Sequence, residues 1–305
     1  MTPINVTLVK TLRERTGAGV IDCKNALAET GGDFEAAVDL LRAAEIVKAA
    51  KKADRVAAEG LVGLVVEGRA GALVELNTET DFVAHTEAFQ DAASAVARIA
   101  LSAQGDHAAL VNAPAPDGDG RVSDVIARLT ARTGERVTLR RSAFVSASRG
   151  IVASYLHGAA APGLGRIGVL VALESVGSQH VLLELGHKVA MHIAASSPQW
   201  VSKEDIPPAV VEAKYAELAA QARQTGKPPA IVEKMVEGRM RKFYEEVVLV
   251  LQPFVLSPDQ RVEEAVRDAE QAAGCPITIA AFARLQTGEG IDKKPEGVER
   301  ALVNR

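Results

Sequence analysis

The chain has 305 residues, 48% hydrophobic and 24% charged, with a formal net charge of −4. That length suffices for two or more cores, because one core seldom grows past about 250–300 residues. The acidic balance argues against broad binding to a phosphate backbone, and no apolar run approaches the ~20 residues of a membrane span. Cys23 and Cys275 lie too far apart in sequence to suggest a metal or redox motif. The opening Met1-Thr2-Pro3-Ile4 lacks a basic segment followed by an apolar run, so no signal peptide is expected and the cytoplasm is the expected compartment.

Three short helices are expected over residues 1–45. The first places Leu8, Val9 and Leu12 on one side and is capped by Asn5. Thr16-Gly17-Ala18-Gly19 breaks it. The second carries Val20, Cys23 and Leu27 at helical spacing and ends at Gly31-Gly32. Asp33 caps the third, with Phe34, Val38 and Leu41 inward. Val20 and Ile21 point about 100° apart, so at most one is central to a core and the other is a candidate contact. Gly17-Ala18-Gly19 follows a helix and lacks the Gly-Lys-Ser/Thr ending of a phosphate loop, so it reads as a helix breaker. Cys23, among apolar neighbours, reads as a small buried hydrophobe. Lys48, Lys51, Lys52 and Arg55 mark a basic helical linker over 46–57, either solvated or facing an acidic partner.

From 58 to 149 the pattern turns to strands. Residues 60–67 and 72–76 read as a hairpin. Thr80-Asp81-Phe82-Val83 then forms a strand-to-helix corner, a place where rigid elements on both sides hold functional groups. Phe82 there is either folded back onto its own core or turned outward. A helix over about 87–103, a Pro/Asp/Gly-rich linker at 113–120, a helix over about 122–132 and a strand from Arg136 follow. Residues 150–287 repeat this order: a hairpin (151–156 with 167–173), a helix through 185–195, and a strand at 277–280. Val189–Ala194 echoes Ala95–Ala100, and Ile277–Ala280 echoes Val137–Arg140. The expected class is α+β, with two subdomains that each have a small antiparallel sheet covered on one face by helices.

The second subdomain contains an insertion over about 207–245. Val211, Tyr215, Leu218 and Ala222 mark one helix and Ile231, Met235 and Val236 another, joined by Gly226-Lys227-Pro228-Pro229. This reads as an antiparallel helical hairpin and a candidate self-association or partner surface. Prolines flanking Phe254-Val255-Leu256 suggest an extended segment, its three apolar residues either exposed or tucked against the subdomain. A flexible hinge and charged helical tail are expected over 288–305.

No catalytic set emerges. His187 and His192 are five apart, not the four that puts two ligands on one helix face, and HExxH, CxxC and nucleophile-elbow motifs are missing. Glu79, Asp81 and Glu87 could be drawn as a metal or acid/base cluster, but without a basic partner. No cofactor is expected.

Leu8-Val9-Lys10, Leu12 through Gly19, Asp22-Cys23-Lys24-Asn25-Ala26-Leu27, Thr80-Asp81-Phe82-Val83, His187 through Ala195, Glu237-Gly238-Arg239-Met240 and Gln252-Pro253-Phe254 together resemble bacterial elongation factor Ts. The resemblance implies a ubiquitin-associated-like three-helix module, a two-subdomain core, a coiled-coil hairpin and a short C-terminal module. It implies a non-enzymatic guanine-nucleotide exchange factor for elongation factor Tu, with no direct contact to nucleic acid or membrane. A dimer of heterodimers is left open. Carried over by position, Asp81 and Phe82 would insert beside the partner's magnesium site, framed by Thr80 and Val83. Val20, Ile21 and Cys23 would pack on its nucleotide domain, with Arg13 and Lys24 close by. His157 would approach another partner domain, and Val255 and Leu256 align with an apolar contact segment. Some relatives have methionines where this chain has Val20-Ile21, and the short charged tail departs from the pattern.

Overall fold

The computed structural model describes residues 5–292, apart from the side chains of residues 46 and 48–50. The tail expected over 293–305 and the side chain of Lys48 lie outside the described residues. The described residues open with α1 (Val6–Thr16), α2 (Val20–Glu29) and α3 (Phe34–Ala50). Asn5 Oδ1 accepts from Leu8 N at 2.7 Å and Asp33 Oδ1 from Ala36 N at 3.0 Å, each satisfying a helix-start donor. Gly17 closes α1 in the left-handed region, where a side chain would be strained. Leu12, Cys23, Leu27, Ala37 and Val38 make the small core of these helices. The basic stretch is a turn rather than a helix after Ala50, and two of its cations engage the chain itself. Lys52 Nζ donates to Thr130 O at 3.5 Å, and Arg55 Nη1 lies 3.3 Å from Glu79 Oε1.

Next come β1 (Glu59–Glu67), β2 (Ala70–Thr78), α4 (Asp81–Ala84), α5 (Glu87–Ala103), α6 (His107–Asn112), α7 (Val122–Thr133) and β3 (Thr138–Ser146). The second half runs β4 (Gly150–His157), β5 (Leu164–Gly165), β6 (Ile167–Glu174), α8 (Gln179–Ser196), α9 (Pro208–Arg223), α10 (Pro229–Val247), β7 (Pro253–Phe254), β8 (Ser257–Arg261), α11 (Val262–Ala273) and β9 (Thr278–Gln286). The helices α4 and α6 span four and six residues, too short for periodicity to reveal. One sheet is ordered β3-β2-β1-β5 and the other β4-β6-β9, both antiparallel.

Each strand splits its side chains between two cores with a period of two. Leu61, Ala72, Val74 and Leu76 meet α5, while Val62 and Leu73 face the other way. Ile151, Ala153, Val169, Val171 and Leu173 meet α8, while Val152, Leu170 and Ala172 face the other way. The second set from each sheet joins in one cluster, so the two sheets pack on each other with a helical layer outside each. Helices cover one face as expected. The sheet-on-sheet contact was not legible, because near-continuous apolar strands do not say what lies on either side.

The two halves repeat closely. Both α7 and α11 have 12 residues, end in a left-handed glycine (Gly134, Gly274) and lead to a nine-residue strand. Both third strands pair with the second strand of their hairpin through a register shift, at Glu75/Leu76 and at Ala172/Leu173. Gly60 and Gly150 have φ of +134° and +125°, and a Cβ on either would sit 2.1 Å from a carbonyl oxygen, of Leu76 and of Leu173. Burial corrects the helix echo by one residue: Phe89, Ala93, Val96, Ala97 and Ala100 correspond to Leu182, Gly186, Val189, Ala190 and Ile193. Letter similarity aligns Ala95 with Val189, but helix faces, not letters, are what the sheet reads.

Helices α9 and α10 are joined by a short connection, and their apolar cluster of Leu218, Ala219, Ala222, Val236 and Met240 is drawn from these two helices alone. Tyr215 departs from the expected stripe and is exposed. Residues 253–261 correct the expected extended segment: they fold into a tight β7–β8 hairpin with Phe254 buried and Val255-Leu256 at its turn. Gly288 is no loose hinge either. Its N donates to Glu75 Oε1 at 2.8 Å, and fully buried Glu75 also takes Arg140 Nη1 at 3.0 Å and Arg141 Nε at 2.5 Å. A buried carboxylate needs such partners, and the end of β9 supplies one of them.

Candidate functional site

The corner after β2 is fixed from both sides. Glu79 Oε1 accepts from Arg136 N at 2.6 Å and from Arg55 Nη1 at 3.3 Å. Glu135 Oε2 accepts from Thr78 Oγ1 at 2.8 Å and Thr80 N at 2.9 Å, and its Oε1 accepts from Thr80 Oγ1 at 2.6 Å. Each carboxylate thus binds the backbone beside the other, a reciprocal clamp of charge-assisted hydrogen bonds. The single turn α4 follows, closed by Thr86 Oγ1 donating to Val83 O at 2.7 Å. Ala84 is buried and Val83 half-buried against the α5 core. Asp81 is exposed, and its backbone oxygen accepts from His85 Nδ1 at 2.7 Å. Phe82 is 83% exposed, whereas Phe89 in the next helix is fully buried. The choice left open by sequence is therefore settled: Phe82 does not fold back onto its own core.

Glu79, Asp81 and Glu87 do not converge on an ion, since Glu79 serves Arg136 and Arg55. Among the described residues no group of three or more His, Cys, Asp or Glu side chains is arranged to hold a metal. The corner is a rigid pedestal with an aromatic ring on its outer side, which suits contact with a protein.

The family model for elongation factor TS matches residues 79–289, beginning one residue before Thr80. Relatives named elongation factor Ts span nearly the whole chain. One from Parvibaculum lavamentivorans is 53% identical over 294 residues, covering 96% of each chain. One from Caulobacter (strain K31) is 52% identical, covering 97% of this chain and 96% of the relative, and one from Rhizobium meliloti is 50% identical, covering 95% of each. The chain belongs to the elongation factor Ts family. Membership places it among the translation elongation factors. No helix among the described residues is long and apolar enough to cross a membrane.

The other residues that elongation factor Ts resemblance singles out fall on separate elements. Val20 and Ile21 open α2 and are 52% and 75% exposed, so neither is central to the module core. That fits the limit of at most one central residue, and it corrects the placing of Val20 in line with Cys23 and Leu27, which fill the core without it. Cys23 is wholly buried and cannot itself offer surface in this fold; burial also pushes its thiol pKa up. Arg13 and Lys24 are exposed. Arg13, Gly19 and Val20 line an open cavity of about 600 Å³ that reaches Ala131 and Arg132 of α7.

His157 ends β4 and is exposed; its Nδ1 lies 3.2 Å from Tyr155 Oη. Tyr155 also meets His187 of α8 edge to face at 5.6 Å. Val255 and Leu256 are about half exposed at the β7–β8 turn. Sequence reasoning missed the supports: Glu135 and Arg136 beneath the corner, Arg55 beside it, and His192 and Gln252 beneath the turn. Their partners lie tens of residues away, and no local spacing announces such a contact.

Proposed function

We propose that this elongation factor Ts is a cytoplasmic guanine-nucleotide exchange factor for elongation factor Tu, and that it performs no covalent chemistry. The observation that carries the reading is Phe82, exposed on a corner clamped by Glu79 and Glu135. An exposed aromatic on a rigid support is a costly thing to offer water, and it suits insertion into another protein. In this reading Phe82 and Asp81 enter beside the partner's Mg²⁺ site, with Thr80 and Val83 holding the turn. Val20, Ile21, Arg13 and Lys24 of a ubiquitin-associated-like module meet the nucleotide domain, and Cys23 supports them from beneath. His157 approaches another partner domain, and the Val255-Leu256 turn supplies an apolar contact. The α9–α10 hairpin is available for pairing of heterodimers, and no contact with nucleic acid or membrane is invoked.

Bound GDP depends on Mg²⁺ and on backbone amides around its phosphates. A wedge that displaces those groups lowers GDP affinity, and GDP lowers affinity for the wedge by the same factor. The test is release of fluorescent GDP from elongation factor Tu in stopped flow, with calorimetry of the isolated chain against GDP. Accelerated release and no GDP binding by the chain alone are expected. Unaccelerated release, or micromolar GDP binding by the isolated chain, would overturn the reading.

A further inference from the structure

Helix α8 carries one residue that its core position does not explain. Val189, Ala190 and Ile193 pack inward, and His192 among them is also fully buried. A buried imidazole is tolerated only when both ring nitrogens find partners. Here they do. Val255 N donates to His192 Nδ1 at 3.2 Å. His192 Nε2 lies 2.8 Å from Gln252 Oε1, and Gln252 Nε2 donates to Glu246 O at 2.7 Å. Because Nδ1 accepts from a backbone N–H, the ring proton sits on Nε2 and is donated to Gln252. The chain of bonds fixes the tautomer of the one and the amide orientation of the other. Phe254 closes the pocket with its ring centroid 5.6 Å from the imidazole.

The turn that receives this bond has little hold of its own. A two-residue hairpin turn is matched to strand twist when its central residues have positive φ, which Gly, Asn and Asp accept and Val and Leu do not. Among the described residues only Gln104 and Ser197 are non-glycine residues with positive φ, so Val255-Leu256 is not a turn of that kind. The short ladder also slips in register between Pro253 and Phe254. An anchor from outside the hairpin is therefore needed, and α8 provides it.

We propose that His192 is the positioning residue for the Val255-Leu256 contact: its Nδ1 lone pair holds the turn in the shape that a partner protein meets. This rests on the proposed role of that turn in partner contact. His192 itself touches no partner; it acts through the Val255 amide.

The test separates the two ring nitrogens and separates this inference from the reading beneath it. His192→Asn keeps an acceptor near the Nδ1 place, whereas His192→Gln reaches only the Nε2 place. Hydrogen exchange at the Val255 amide is measured in the full chain, alongside association with elongation factor Tu·GDP. His192→Gln is expected to speed exchange of that amide by about tenfold and to weaken association several-fold, and His192→Asn is expected to restore much of both. Nitrogen NMR of the wild-type ring is expected to show a bare Nδ1 and a protonated Nε2, and needs no variant to fold. A protonated Nδ1, or unchanged Val255 exchange in a folded His192→Gln, overturns the inference. The double variant Val255→Ala, Leu256→Ala removes the contact surface directly. If it associates normally, the contact reading fails, whatever the Val255 amide shows.

Discussion

Replacing Phe82 by Ala separates stability from function. Full burial of a phenylalanine side chain stabilises by roughly 1.5–3 kcal/mol. With the residue 83% exposed, about a sixth of that, on the order of 0.4 kcal/mol, is realised within the fold. The remainder, roughly 1.2–2.5 kcal/mol, is available only when a partner covers the ring. At about 1.4 kcal/mol per factor of ten, its loss lowers exchange efficiency by roughly 7- to 60-fold. GDP release from elongation factor Tu is followed by stopped flow over a range of exchange-factor concentrations, with thermal unfolding of both proteins as the companion measurement. The expected pair of results is an unchanged melting temperature and release slowed by at least about sevenfold. Phe89→Ala is the control in the opposite sense, because fully buried Phe89 costs about 3–5 kcal/mol on truncation. Unchanged release with Phe82→Ala would refute the wedge, and a loss of stability like that of Phe89→Ala would refute the geometry from which the estimate was made.

Removing the support should imitate removing the ring: Glu135→Ala frees Thr78 and Thr80, and is expected to cost about 1.5–3 kcal/mol in urea unfolding and to slow GDP release although Phe82 is intact. Glu75→Gln leaves Arg140 and Arg141 without their buried counter-charge and the Gly288 amide without its strongest acceptor, so a destabilisation on the order of 3 kcal/mol is expected in the same assay. Burial holds the His192 pKa below its usual value, so the folded state keeps the ring neutral where the unfolded chain binds a proton. Its stabilising contribution is complete above the unfolded pKa of about 6.5 and is lost as pH falls through the folded one, with a slope of at most about 1.4 kcal/mol per pH unit. Denaturation midpoints at several pH values should therefore drop on acidification in the wild type and lose that share of the slope in His192→Asn; equal slopes would contradict it.

The sequence made the helix starts legible because they are local chemistry. Asn5 and Asp33 bond the third residue onward, and Gly17 ends α1, all within one turn. The paired hairpins were legible because their apolar runs and glycine turns are local too. What stayed hidden depended on distance. Whether Phe82 points in or out turns on Glu135 and Arg136, more than fifty residues away. The contact between the two sheets depends on which strand face each half leaves uncovered by its own helices. Val255-Leu256 reads as extended from its prolines, because nothing nearby discloses that α8 supplies the acceptor that bends it.

The duplicated architecture shows what the corner adds to the fold. With α7–β3 placed on α11–β9, Glu135 and Arg136 fall on Cys275 and Pro276. With β2 placed on β6 by their register shifts, Glu79 and Thr80 fall on Val176 and Gly177. The second half therefore has neither carboxylate of the clamp, and Pro276 has no N–H to give one. There the chain passes from β6 through Ser178 directly into α8, with no extra turn before the long helix. The same sheet and helix pair thus folds without a clamp and without α4, so neither is required by the architecture. Both are present only in the half that turns Phe82 outward. The clamp stabilises its own lobe, but the architecture does not require it; under the proposed reading, its place beneath an exposed aromatic ring is accounted for by presentation of that ring.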